Sequence, residues 1–189
     1  VRVWGPNPIL KITEGYFGRD GVLAHDLRAR TELEPSQQVW VARGGSLPRP
    51  WPDPIVTEIA PGYQHSENGW TLKSCSVPHA QPVLTCMAFS VEFEGKKFVY
   101  SGDAGLCDEL TELSKDADLL LHWCYRLDGE AALPIMQNVT PTPSEIAQMA
   151  RSTGVKRLLL SHFRVHMDQP EKLKQSKHIL KTNLSADST

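Results

Sequence analysis

The chain has 189 residues, enough for one domain that buries roughly 70% of the surface its unfolded form exposes. Hydrophobic residues at 40% and charged residues at 22% exclude a disordered chain, and no apolar stretch approaches the ~18 residues of a membrane span. A formal net charge of -2 gives no global pull towards nucleic acid.

The first seventy residues are poorly periodic and are punctuated by Gly5-Pro6, Arg43-Gly-Gly-Ser46 and the proline-rich stretch from Pro48 to Pro54. Proline fixes φ and removes a donor, so the last of these reads as an ordered surface loop. Ile55 to Ile59 alternates as a strand does, and Trp70 to Val77 reads as another that ends at Pro78-His79. Val83 to Phe93 is a long strand candidate; the turn Glu94-Gly95 then joins it to Lys96 to Ser101 as an antiparallel hairpin. Asp108 to Lys115 carries Leu110 and Leu113 at helical spacing, and Ala117 to Leu121 is a continuous apolar run of the kind a buried strand shows. Thr142, Pro143 and Glu145 spell an N-cap, a first helical position and a capping box before Ile146, Ala147, Met149 and Ala150. Gly154 ends that helix, and Val155 to Ser161 follows as a buried strand leading directly into His162. The architecture is α/β, with sheet and helices in layers.

Four segments share one design, an apolar strand followed at once by a residue of metal-ligand type. They are Cys75-Ser-Val-Pro-His79, Phe98-Val-Tyr-Ser-Gly-Asp103, Ala117-Asp-Leu-Leu-Leu-His122 and Leu158-Leu-Leu-Ser-His162. Strand ends carry side chains from distant positions onto one rim, and imidazole with carboxylate suits zinc, manganese or iron. Taken singly, each also reads as a rim residue or a turn. The four cysteines, Cys75, Cys86, Cys107 and Cys124, contain no C-x-x-C pair and read as free thiols of a reducing, cytoplasmic compartment.

Pro78-His79, Tyr100-Ser-Gly-Asp103-Ala, Asp118-Leu-Leu-Leu-His122 and Gly154-Val-Lys-Arg-Leu-Leu-Leu-Ser-His162-Phe resemble, in order and spacing, the later motifs of metallo-β-lactamase-fold hydrolases. The nearest branch is that of ribonuclease Z and the arylsulfatase-like phosphodiesterases. The resemblance implies an αββα sandwich, with residues 1–189 forming the C-terminal two-thirds of a single domain. It also implies two divalent metal ions, zinc foremost and manganese or iron as alternatives. His79 would bind one ion, His162 the other, and Asp103 would bridge them, with His122 in support behind these ligands. The implied reaction is attack by a metal-bridging hydroxide on a phosphodiester, sulfate ester or related small-molecule substrate. Homodimerisation is common in the resembling branch.

Three departures shape the expectation. The family's principal motif, H-x-H-x-D-H, is absent: no two of His25, His65, His79, His122, His162, His166 and His178 are separated by one residue. Val1-Arg-Val-Trp-Gly-Pro6 resembles the strand and turn that soon follow that motif, so the chain resembles a family member beginning just after its first ligand cluster. The H-E-A-T of the ribonuclease Z branch is matched by His122-Trp-Cys-Tyr125. Its H-S-T is matched by Thr140-Pro-Thr142, or by Asn138-Val-Thr140 if a gap is allowed. The family's glutamate and histidine there assist proton transfer, and their replacement favours a related or altered hydrolytic activity over authentic tRNA processing. A non-catalytic or truncated protein with an incomplete metal site is the alternative from another class, and an RNA-processing endonuclease is a third. His25-Asp26 reads as part of a turn or helix, and His166 as a weak ligand candidate. Trp40, Trp51, Trp70 and Trp123 read as packing residues, Trp51 also as a possible substrate cover. Lys172, Lys174, Lys177 and His178 read as a solvated basic tail.

Overall fold

The computed structural model describes residues 1–164 together with Met167, Glu171 and Lys174. His166, Lys172, Lys177 and His178 lie outside the described residues. The chain groups into two compact units, residues 1–60 and 61–189.

In the first unit, β1 (Arg2–Gly5) pairs in parallel with β2 (Ile55–Glu58), with Arg2 opposite Ile55 and Gly5 opposite Glu58. A parallel pair needs a crossover, and this one carries α1 (Ile9–Phe17), α2 (Ala24–Glu32) and α3 (Glu34–Ala42). α1 and α3 are absent from the sequence-based expectation, which reached α2 only through His25-Asp26; their signals are few, Pro35 in the first turn of α3 among them. α1 and α3 bury no residue, α2 buries only Ala24 and Leu27, and none has a side-chain N-cap. His25 and Asp26 stand in the first turn of α2, where Asp26 meets Arg30 one turn later at 2.6 Å. Trp51 packs in the proline-rich loop, with Arg19 over its ring and its indole donating to the Phe17 carbonyl at 2.6 Å.

The second unit is built on a six-stranded sheet in sequence order. β3 (Gln64–Glu67), β4 (Trp70–Ser76), β5 (Met87–Phe93) and β6 (Lys96–Tyr100) form an antiparallel meander, and β7 (Leu119–Trp123) and β8 (Leu158–Ser161) continue it in parallel. The hairpin turn has Glu94 and Gly95 at φ 49° and 70°, both left-handed, as a two-residue turn of the primed type requires. The crossovers between the parallel strands are α4 (Asp108–Ser114) and α5 (Pro143–Ser152). α5 starts on the expected reciprocal box, with the Glu145 amide donating to Thr142 Oγ1 at 3.3 Å and the Thr142 amide to the Glu145 carboxylate at 2.7 Å.

Three expected strands have a bound displaced by two residues or more. β5 begins at Met87, because residues after Pro82 turn outward and leave Val83 and Leu84 exposed. β7 lies two residues later than expected, so His122 is inside the strand instead of beyond it. β8 begins only at Leu158. Leu110, Ile146, Ala147 and Ala150 from the helices close on Val99, Leu120 and Leu158 from the sheet. On the sheet's other face, register aligns Phe89 with Tyr100, Val91 with Phe98, and Leu121 with Leu159. Helices over one face and apolar side chains on the other are the layers that one half of an αββα sandwich requires. Among the described residues no helix is long and apolar enough to cross a membrane.

Candidate functional site

β4, β6 and β8 each lead directly into a segment bearing one of the three expected ligands. Beyond β6 the chain turns at Gly102, whose φ of 63° is left-handed, and presents Asp103. Beyond β8, His162 itself has φ 58°, a conformation in which histidine is enriched among non-glycine residues. Beyond β4, the His79 amide donates to Gln81 Oε1 at 2.8 Å, and Gln81 Nε2 donates back to the Val77 carbonyl at 2.5 Å, which closes the loop upon itself.

The three side chains come together on one rim. His79 Nε2 faces Asp103 Oδ2 at 4.0 Å, and His162 Nδ1 faces Asp103 Oδ1 at 3.7 Å. Both separations exceed hydrogen-bond length. They also exceed the ~3.3 Å between two donors that share one tetrahedral zinc. Each carboxylate oxygen faces a different imidazole. The donor types suit divalent metal, but the set is partial: among the described residues no group of three or more His, Cys, Asp or Glu side chains is arranged to hold an ion. A cavity of about 790 Å³ lined in part by Lys73, Lys97, Asp108 and Glu112 contains none of the three rim residues.

His122 is fully buried and its Nδ1 donates to the Trp123 carbonyl at 2.7 Å. Burial pushes its pKa down to about 4 against the opposing effect of that hydrogen bond, so the ring is neutral at pH 7. Among the described residues it makes no hydrogen bond to His79, Asp103 or His162. The Thr140-Pro-Thr142 segment is consumed by structure: Thr140 is buried with its hydroxyl donating to the Met136 carbonyl at 2.7 Å, and Thr142 caps α5.

The residue that sequence reasoning undervalued is Trp123, the last of β7 and only 3% exposed. His79 meets its ring edge-on, with centroids 5.1 Å apart and planes at 88°, and His162 tilts against it at 5.8 Å and 34°. Its backbone amide donates to Ser101 Oγ at 3.2 Å and its indole nitrogen to the Ala104 carbonyl. Tyr125 packs on Trp123 at 5.5 Å, and Arg164, paired with Glu130, covers Tyr125 at 4.8 Å. The available signal was its place directly after His122, at the end of a parallel strand beside β8.

A family model described as "Beta-lactamase superfamily domain" matches residues 12–163. A protein of Methanosarcina acetivorans named ribonuclease Z is 36% identical over 95 residues, covering 49% of this chain and 31% of that protein. The human tRNase Z short form superposes with TM-score 0.58 at 17% identity, over 89% of this chain and 63% of that one. Zn(2+)-bound PqqB from Methylobacterium extorquens superposes with TM-score 0.54 at 14% identity, over 94% of this chain and 57% of that one. At such identities the two structures show likeness of fold. The chain spans less than two thirds of the length of each of these three proteins.

Proposed function

Because the chain belongs to the beta-lactamase superfamily domain family and has the metallo-β-lactamase fold, we propose that it is a metal-dependent hydrolase of a phosphodiester, sulfate ester or related substrate. The observation that carries the reading is the placement of Asp103, each of whose oxygens faces a different imidazole. In this proposal His79 and His162 would each serve as a ligand to divalent metal, zinc foremost, and Asp103 would be shared between them. Metal bound there would supply Lewis acidity and a lowered pKa for water at neutral pH. Asp103 stands between the two imidazoles, and the Trp123 ring packs against both of them. Residues 1–189 are read as part of a metallo-β-lactamase-like domain, cytoplasmic in keeping with four free thiols.

An RNA substrate is the natural comparison, since a relative is named ribonuclease Z. Trp123 at the position of that branch's glutamate, together with the buried Thr140 and the cap at Thr142, argues for a related or altered activity over authentic tRNA processing. A second reading rests on the partial donor set: a protein of this fold that binds no metal tightly.

The deciding experiment is metal quantification on purified protein together with hydrolysis of bis-p-nitrophenyl phosphate, with Asp103→Ala as the control. The hydrolase reading expects about two ions per chain and an activity loss of at least ~100-fold in the variant, in line with removal of metal-assisted catalysis. Metal-free protein, or activity that survives the substitution, overturns it.

A further inference from the structure

We infer that Cys75 and Cys107 form a thiol–disulfide switch, a reversible cross-link between β4 and the residue that leads into α4. Such a switch requires only the two sulfurs and a low-molecular-weight disulfide of the oxidised glutathione kind, and it stands whether or not the rim holds metal. Cys75 lies opposite Ala88 in the ladder of β4 and β5, and residues directly opposite share a face of the sheet. Ala88 is fully buried in the core that also takes Leu110 of α4, so Cys75 is on the side that α4 covers. Cys107 reaches the same place, its thiol donating to the Ser76 carbonyl at 3.7 Å, one residue past Cys75. Both side chains are partly buried and pack against that core.

The other two cysteines are turned elsewhere. Cys124 is fully buried with its thiol donating to the Arg126 carbonyl at 3.6 Å, and the Cys86 thiol donates to the Leu84 carbonyl at 3.8 Å. Cys75 instead lines, with Glu109, the cavity of about 790 Å³ in the second unit, which opens it to small solutes. Burial pushes the Cys75 thiol up to about 12, with the neighbouring Cys107 and then Glu109 adding to the rise, and burial raises Cys107 as well. Thiols of high pKa are poor leaving groups once joined, so the cross-link resists reversal by single thiols and calls for a dithiol reductant. Disulfides of reducing compartments are typically transient and redox-sensing.

The chemistry consists of two exchanges. One sulfur of the pair gives its proton to water and attacks the small disulfide; that S–S bond breaks, one small thiolate leaves, and the protein carries a mixed disulfide. The second sulfur, deprotonated in turn, attacks the first and expels the other small thiolate. Both protons end on the two small thiols, the protein pair is oxidised by two electrons, and the small disulfide is reduced by two. Cys75 is four residues before His79 and Cys107 four after Asp103, so the bond braces the two segments that already meet through Gly105 and Pro78.

The test incubates the full chain with oxidised glutathione at about pH 8, where more thiolate is present. The reaction is quenched with N-ethylmaleimide and followed by intact mass and peptide mapping. Alkylated thiols should fall from four to two per chain, with one peptide joining Cys75 to Cys107, and dithiothreitol should return all four. Cys75→Ser and Cys107→Ser should each show no internal cross-link, with circular dichroism reporting their folding; the mapping of the parent decides the matter even if a variant does not fold. Four thiols still alkylated, a glutathione adduct that never closes, or a bond between any other pair of cysteines overturns the inference.

Discussion

Gly105 donates its amide hydrogen to the Pro78 carbonyl at 2.8 Å, fastening the loop that carries Asp103 to the loop that carries His79. On its other side Gly105 lies against the backbone of Asn138, so a Cβ there would collide with the Asn138 carbonyl oxygen. The constraint is one of space, since Gly105 is not among the positive-φ glycines.

Gly105→Ala is therefore expected to lower stability by about 2 kcal/mol, the scale of overpacking against a neighbour that cannot yield. Gly105 also joins the two ligand loops, so the variant should lose Zn(2+) affinity along with stability. Urea denaturation and chelator competition measure the two effects. An unchanged midpoint would show that Asn138 yields freely.

Thr142→Ala removes one half of the capping box and leaves the Glu145 amide without its side-chain acceptor. The expected loss is about 1 kcal/mol, with the denaturant midpoint lowered and the slope unchanged. Since α5 is a crossover helix packed on the core, its loosening should reach β8 and the His162 turn.

The buried His122 predicts a pH dependence of stability. Its folded pKa of about 4 lies below the unfolded value of 6.5, so between these values the unfolded chain binds the extra proton. Stability contributed by the neutral buried ring is present above pH 6.5 and is lost as pH falls towards 4, by on the order of 3 kcal/mol in full. His122→Asn retains a side-chain donor for the Trp123 carbonyl but cannot titrate. Unfolding free energies measured between pH 7 and 4.5 should fall more steeply for the parent than for this variant, and parallel curves would contradict the assignment.

Much of the second unit was legible because its signals are local. The Glu94-Gly95 turn needs two left-handed residues, and the box of Thr142 and Glu145 is completed within four positions. The helices of the first unit were hardly legible beyond His25-Asp26, since they have no side-chain N-caps and bury at most Ala24 and Leu27. The apolar run from Ala117 announced a strand but could not set its bounds. Those come from pairing, with Leu120 opposite Leu158 and Trp123 opposite Ser161, and that register puts His122 inside the strand.

The sequence by itself determined that His79, Asp103 and His162 follow apolar strands, because an abrupt change from apolar to polar residues marks where a buried strand meets the rim. Only the tertiary structure decided that Asp103 turns one oxygen to each imidazole and that Trp123 stands against both rings. Such relations join β4, β6, β7 and β8 across more than eighty residues of chain. They depend on strand register and on the turns at Gly102 and His162, which no local pattern of residues specifies.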